Sequence, residues 1–388
     1  MTDWQGATTL EIEAGARARE YSRLKERLTL AGMGIGIAAP LGFVLSGLAA
    51  RVNRHMLPEH GARLWQRGRY AATLSLVSSA AALPLGYYSG YVVEHRYGLS
   101  KQTTASWARD QLKATTISLP VELVIVEGAY AAIRRFPRGW WLVCAGAVVP
   151  LSAVFAQLFP VLIAPRFNRY EPLRDPALSE RMVALAARAG VPIAGVMQMD
   201  MSRRTTKTNA FFAGLGRTKR IVLADTLLEQ FTPEEIEGVV AHEAAHQVHH
   251  DIWRFVALSG AFTLATGWVV DNVARRILRA SPRLAATSDL ASLRSLPLIG
   301  VVLTLTGLAL APLQLAYSRA IERRSDGYAV DLTGNPAAYA GALRKLAVTN
   351  LADPSPPRLV TLLLHSHPPL AERIAAAEHA ARAGSGPS

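Results

Sequence analysis

Apolar residues along the chain gather into long uncharged runs. Crossing a hydrocarbon core of about 30 Å takes roughly 20 helical residues, and the runs Leu28 to Ala50, Tyr70 to Val93, Gly139 to Ile163, Phe255 to Ala274 and Pro297 to Tyr317 reach that length. A sixth run, Ala114 to Ile133, is interrupted by Glu122 and Glu127. Carboxylates are costly against lipid, so these two are expected to face a protein-lined or watery interior. The pattern predicts a mainly α-helical, polytopic membrane protein with about six transmembrane helices.

Between the fourth and fifth runs the apolar pattern breaks, over about 166–254. There "PALSERMVALAARAG" reads as an amphipathic helix with Gly190 as its C-cap, and "RIVLAD" reads as a buried strand. The expected organisation is a polar N-terminal segment (1–27), a membrane region of about four helices (28–165), a small α/β subdomain (166–254), a transmembrane hairpin (255–318) and a C-terminal helical region (319–388), flexible from about residue 382. Residues 1–27 are polar and the first apolar run is too long for a signal-peptide core, so that run is expected to remain as an anchor. Both sets of loops are rich in arginine, and the positive-inside count does not orient the chain. Parity still places 166–254 and 318–388 on the same side.

Composition agrees with this picture. Of 388 residues 50% are hydrophobic and 18% charged, and mean hydropathy is +0.18, too apolar for an ordinary soluble enzyme. The formal charge of +13 would suggest nucleic acid in a soluble protein. Spread over every loop, it reads instead as cations beside anionic lipid headgroups, with no nucleic-acid partner. The single cysteine, Cys144, lies in an apolar run. A disulfide within the chain and a thiolate cluster are both excluded, so any metal must be held by His, Asp or Glu.

The chemistry concentrates in "TPEEIEGVVAHEAAHQVHHD", residues 232–251. Thr232 as N-cap, Pro233 at the first helical position and Glu235 three residues after the cap make a capping box that starts a helix. On it His242 and His246 stand four apart, so both imidazoles leave one face and can reach one ion. Glu243 falls about 100° round the helix, beside the ion rather than on it, where its carboxylate can take a proton from an activated water. His249 sits a further turn away, about 10 Å from His242 along the axis. It cannot share that ion, and His249, His250 and Asp251 are assigned supporting or surface roles.

A catalytic metal of this kind needs a third protein ligand. After the last apolar run, "YSRAIERRSDGYAVDL" places Glu322 and Asp326 four apart on an expected helix. A hairpin of the fifth and sixth spans would set this helix beside the histidine helix. Glu322 is then the natural third ligand, within about 5 Å of the imidazole nitrogens, and Asp326 is placed to orient a ligating histidine.

These residues resemble the M48 metallopeptidases, in particular the Ste24-type CAAX prenyl proteases. The likeness extends through "EHRYGLSKQTTASWARDQLK" (94–113), "IAPRFNRYEPL" (163–173), "TNAFFAGLGRTKRIVLADTLL" (208–228), the two histidine-and-acid motifs and "HSHPPLAERI". It implies a zinc endopeptidase with one Zn²⁺ per chain, whose helices enclose an intramembrane chamber with the metal at the cytosolic end. It implies that His367 and Arg373 hold the substrate carbonyl and its transition state, and that Asn209, in a strand pair, helps bind the peptide, in keeping with strand addition. Eukaryotic Ste24-type enzymes carry seven membrane helices where six are counted here, and "SDGYA" and Asp251 depart from their pattern. The Asp251 departure, with abundant arginine and alanine, resembles bacterial members, placing the chain in a bacterial cytoplasmic membrane with the zinc facing the cytosol. The expected substrates are membrane-associated or lipidated chains, prenylated where a host makes them.

Three rival readings remain at this point. A site-2-type protease also uses HExxH, but within an apolar span, whereas here the motif precedes one. A transporter would explain Glu122 and Glu127 but not the paired histidines and Glu322. A metal-bound, non-catalytic quality-control scaffold would need an assay to exclude.

Overall fold

The computed structural model describes residues 9–59, 61–158, 163–214 and 216–384. Its helices are α1 (Thr9–Leu45), α2 (Leu48–Met56), α3 (Leu64–Tyr87), α4 (Val93–Arg96), α5 (Thr104–Arg135), α6 (Trp140–Leu158), α7 (Pro176–Arg188), α8 (Asp225–Gln230), α9 (Pro233–Val248), α10 (Asp251–Ala280), α11 (Leu296–Thr333), α12 (Pro336–Thr349), α13 (Arg358–Leu364) and α14 (Leu370–Gly384). A single π turn, Tyr88–Val92, joins α3 to α4.

All six apolar runs lie on helices, and the helices differ from the runs at their ends. The first run is broken at Gly47, whose φ of 74° only glycine adopts without strain, so α1 and α2 share it. The fourth is helical to Leu158, and residues 159–162 lie outside the described residues. Helices α5, α10 and α11 extend past their apolar runs into polar sequence. Helix α14 continues to Gly384, and 385–388 lie outside the described residues.

Among the described residues, four helical stretches are long and apolar enough to cross a membrane: Gly15–Leu45, Thr104–Arg135, Asp251–Ala280 and Leu293–Thr333, with Trp140–Phe155 shorter. Large apolar side chains on them, such as Val124, Trp268 and Leu313, are left bare by the protein itself, as a lipid-facing surface would be. The intramembrane carboxylates are spoken for. Glu127 accepts from Arg67 at 3.0 and 2.8 Å and from Arg134 at 2.7 Å, and Glu122 accepts from Ser75 at 2.6 Å.

The α/β part is a four-stranded sheet of β1 (Tyr170–Pro172), β2 (Gly195–Met199), β3 (Ala210–Ala213) and β4 (Arg220–Ala224), in the order β1-β2-β4-β3. β2 and β4 are parallel and the outer pairs antiparallel, with Phe211 opposite Val222. β3 is therefore an edge strand. Leu178, Met182 and Leu185 of α7, Val196, Ile221 and Leu223 of the sheet, and Ile236, Val240 and Ala241 of α9 share one core with Tyr339 and Leu343 of α12. Gly238 makes the last contact possible, because a Cβ there would sit 3.0 Å from the Tyr339 ring. Likewise Gly267 lets α10 close on Trp141 of α6.

Candidate metal centre

Helix α9 begins as its sequence dictates. Thr232 Oγ1 accepts from Glu235 N–H at 3.3 Å, and Glu235 Oε2 accepts from Thr232 N–H at 2.7 Å. The helix stops at Val248. His250 takes a left-handed conformation, φ 56°, and α10 starts afresh at Asp251. This bend turns the Asp251 carboxylate back, so that Oδ2 lies 3.0 Å from His246 Nδ1. Asp251 is 2% exposed and supports a candidate ligand, consistent with its supporting assignment.

Helix α11 continues unbroken from the membrane span to Thr333, so the acidic motif is carried on the span's own helix. From α11, Glu322 Oε2 lies 3.2 Å from His242 Nε2, and Oε1 lies 3.7 Å from His246 Nε2. One donor atom from each of His242, His246 and Glu322 falls within 4.8 Å of the other two. Two ligands of a tetrahedral ion with bonds of about 2 Å sit roughly 3.3 Å apart, close to the His242–Glu322 spacing. Despite that approach, Oε2 is enclosed and accepts no hydrogen bond. A buried carboxylate that faces one imidazole with each oxygen, one of those oxygens making no hydrogen bond, fits a cation.

The same helix holds the supporting groups. Asp326 Oδ1 lies 3.0 Å from His242 Nδ1 and accepts from Tyr339 Oη at 2.6 Å. Arg373 donates to both Asp326 oxygens, at 2.9 and 2.7 Å, and to Tyr339 Oη at 3.1 Å. Arg324 donates to Asp251 and so reaches His246 through it. Arg319, buried, donates to the carbonyls of Thr361 and His365 at 2.9 and 2.8 Å, fixing the segment that brings His367 Nε2 to 3.5 Å from Glu322 Oε1. Tyr339, Arg324 and Arg319 had no local signal in the sequence, because each acts across a tertiary contact.

Electrostatics follow from this crowding. Burial disfavours a charged His242, yet the Asp326 and Glu322 carboxylates overcome it and hold the imidazole proton to about pKa 9 in the metal-free protein. Burial raises the Glu243 carboxyl, against the pull of the two histidines. A carboxyl so raised is poised to accept and return protons.

The sequence-derived site residues thus gather, except one. His242, Glu243, His246, Glu322, Asp326, His367 and Arg373 meet around one point. Asn209 is exposed at the entrance to β3, its carbonyl accepting from Ala224 N–H at 3.0 Å, and shares no hydrogen bond with that cluster.

A family profile described as peptidase family M48 matches residues 172–381. Another, described as the CAAX prenyl protease N-terminal, five membrane helices, matches 7–169. An uncharacterized metalloprotease of Bacillus subtilis, YhfN, is 33% identical over 94% of this chain and 85% of its own length. CAAX prenyl protease 1 of Saccharomyces cerevisiae is 29% identical over 95% of this chain and 87% of its own. The crystal structure of S. mikatae Ste24p superposes with a TM-score of 0.82 at 27% identity, covering 95% of this chain and 90% of that one.

Proposed function

The chain belongs to peptidase family M48, and from that premise we propose that one zinc ion, held by His242, His246 and Glu322, serves a reaction in which Glu243 is the general base. The protein is a membrane-embedded metallopeptidase, multi-pass, acting on peptide or protein substrates in contact with a bilayer. When bound, the zinc would supply Lewis-acid activation of the attacking water and of the scissile carbonyl. Glu243 would take the water's proton and return it to the leaving amine. His367 would donate to the developing oxyanion, and Arg373, held by Asp326 and Tyr339, would contribute positive charge beside it while fixing the Asp326–His242 pair. Asp326 and Asp251 would orient the two imidazoles through their Nδ1 atoms.

The open edge of β3, beginning at Asn209, suits an extended substrate that adds as a strand. Relatives named CAAX prenyl protease 1 support membrane-associated or lipidated substrates, with prenylated ones where the host makes them. The proposed setting is a bacterial cytoplasmic membrane with the metal centre on the cytosolic face, as the likeness to Ste24-type enzymes implies; parity adds that α9 and the C-terminal region share one side, whichever it is. The observation that carries the zinc assignment is the convergence of His242 Nε2 and His246 Nε2 on the Glu322 carboxylate, at 3.2 Å from Oε2 and 3.7 Å from Oε1. It is tested by cleavage of a fluorogenic peptide by the purified full-length protein. Chelation should abolish cleavage and zinc should restore it; turnover that survives exhaustive chelation refutes the reading.

A further inference from the structure

A cavity of about 570 Å³ opens beside His367 and Arg373, and its opposite wall is the polar end of α1. Its charges are unevenly satisfied. Lys25 is turned away, donating to Ser89 O at 2.9 Å, Ser89 Oγ at 3.1 Å and Glu94 Oε1 at 2.9 Å. Arg373 is spent on Asp326. Of the two carboxylates in the wall, Asp353 accepts from Ser355 N–H at 2.9 Å. Glu26 is less well met: its side chain is 13% exposed, its Oε1 is enclosed without a hydrogen bond, and His365 Nε2 stands 3.6 Å from that oxygen.

A mostly buried carboxylate without a donor weakens a fold unless something completes it. Within the protein, the His365 imidazole pairs with it only when protonated, and Arg23 attracts it without a hydrogen bond. His365 stands two residues before His367, at most about 7 Å along an extended chain, so Glu26 lies within one to three substrate residues of the bond that His367 would serve. Resting on the peptidase reading above, we propose that this cavity is a substrate side-chain subsite in which Glu26 selects a cationic residue, lysine or arginine, within three positions of the scissile bond. Helix α1 then carries a specificity determinant as well as a membrane span.

The test uses the full-length, zinc-loaded protein in nanodiscs and a panel of quenched fluorescent peptides. These are identical except for one lysine, glutamate or norleucine placed in turn at each of three positions on either side of the cleaved bond. At one position kcat/KM should favour lysine over glutamate by about tenfold or more. Glu26→Gln should shrink that ratio to within about twofold, and Glu26→Lys should invert it. A flat profile in the wild type, or a lysine preference that Glu26→Gln leaves intact, overturns the proposal. Affinities of the same peptides for a Glu243→Gln background decide the subsite independently of turnover. Failure to cleave any peptide would count against the peptidase reading, whereas equal binding of lysine and glutamate peptides would count against the subsite.

Discussion

Two buried polar clusters lie at opposite ends of α10, a 30-residue helix about 45 Å long. At the far end Asn53 is saturated: its Nδ2 donates to Ala285 O and Arg294 O, both at 2.7 Å, and its Oδ1 accepts from Tyr70. Tyr130 and Ser295 bond each other at 2.8 Å, and Arg294 donates to Leu57 O and Ala286 O. The group left over there is Arg294 Nε, a donor. At the near end Arg324 Nε and His249 Nδ1 are likewise without a hydrogen bond, and beside the two histidines so is Glu322 Oε2, an acceptor. Only the second kind of gap can take a cation. The far cluster closes α2, α3 and α5 onto the loop after α10, whereas the near cluster holds two imidazoles and a carboxylate open to one another.

This contrast can be broken experimentally in order of expected effect. Glu243→Gln should lower kcat by about 10²- to 10⁴-fold, the usual worth of a general base, with metal content unchanged by elemental analysis. Asp326→Asn, which leaves the three donor atoms in place, should weaken metal binding about 10- to 100-fold, read by competition with a chromophoric chelator. A milder effect comes from pH. Because His242 keeps its proton up to about pKa 9 without metal, a cation has to displace that proton, and apparent affinity should fall about tenfold for each pH unit below 9. Affinity independent of pH between about 7 and about 8 would contradict the protonated state. The smallest effect at the metal should come from Asn53→Ala, which leaves a buried Tyr70 hydroxyl and two carbonyls short. It should cost about 1–3 kcal/mol of stability while metal affinity stays within about twofold.

How far these two ends could be read from the chain differs for physical reasons. Apolar runs longer than a bilayer is thick reveal spans directly, and the capping box with His242, Glu243 and His246 is local, all on one helix. Glu322 was reachable because a membrane hairpin leaves few places for the returning chain to go. Tyr339 was not, since its approach to His242 depends on Gly238 admitting α12 against α9. Nor was the break at His250, where a non-glycine residue is held left-handed in a tertiary setting that includes the Asp251–His246 contact. The far cluster was equally silent, because Asn53, Tyr70 and Arg294 meet only after three separate segments have packed.

The most direct test of the account is the zinc content of protein purified without added metal, compared between the wild type and Glu322→Gln. One ion per chain in the wild type and almost none in the variant, with the helical signal and detergent-solubilised size of the two alike, is the predicted result. Full zinc occupancy in Glu322→Gln would contradict the claim that α11 delivers the third ligand to the histidines of α9.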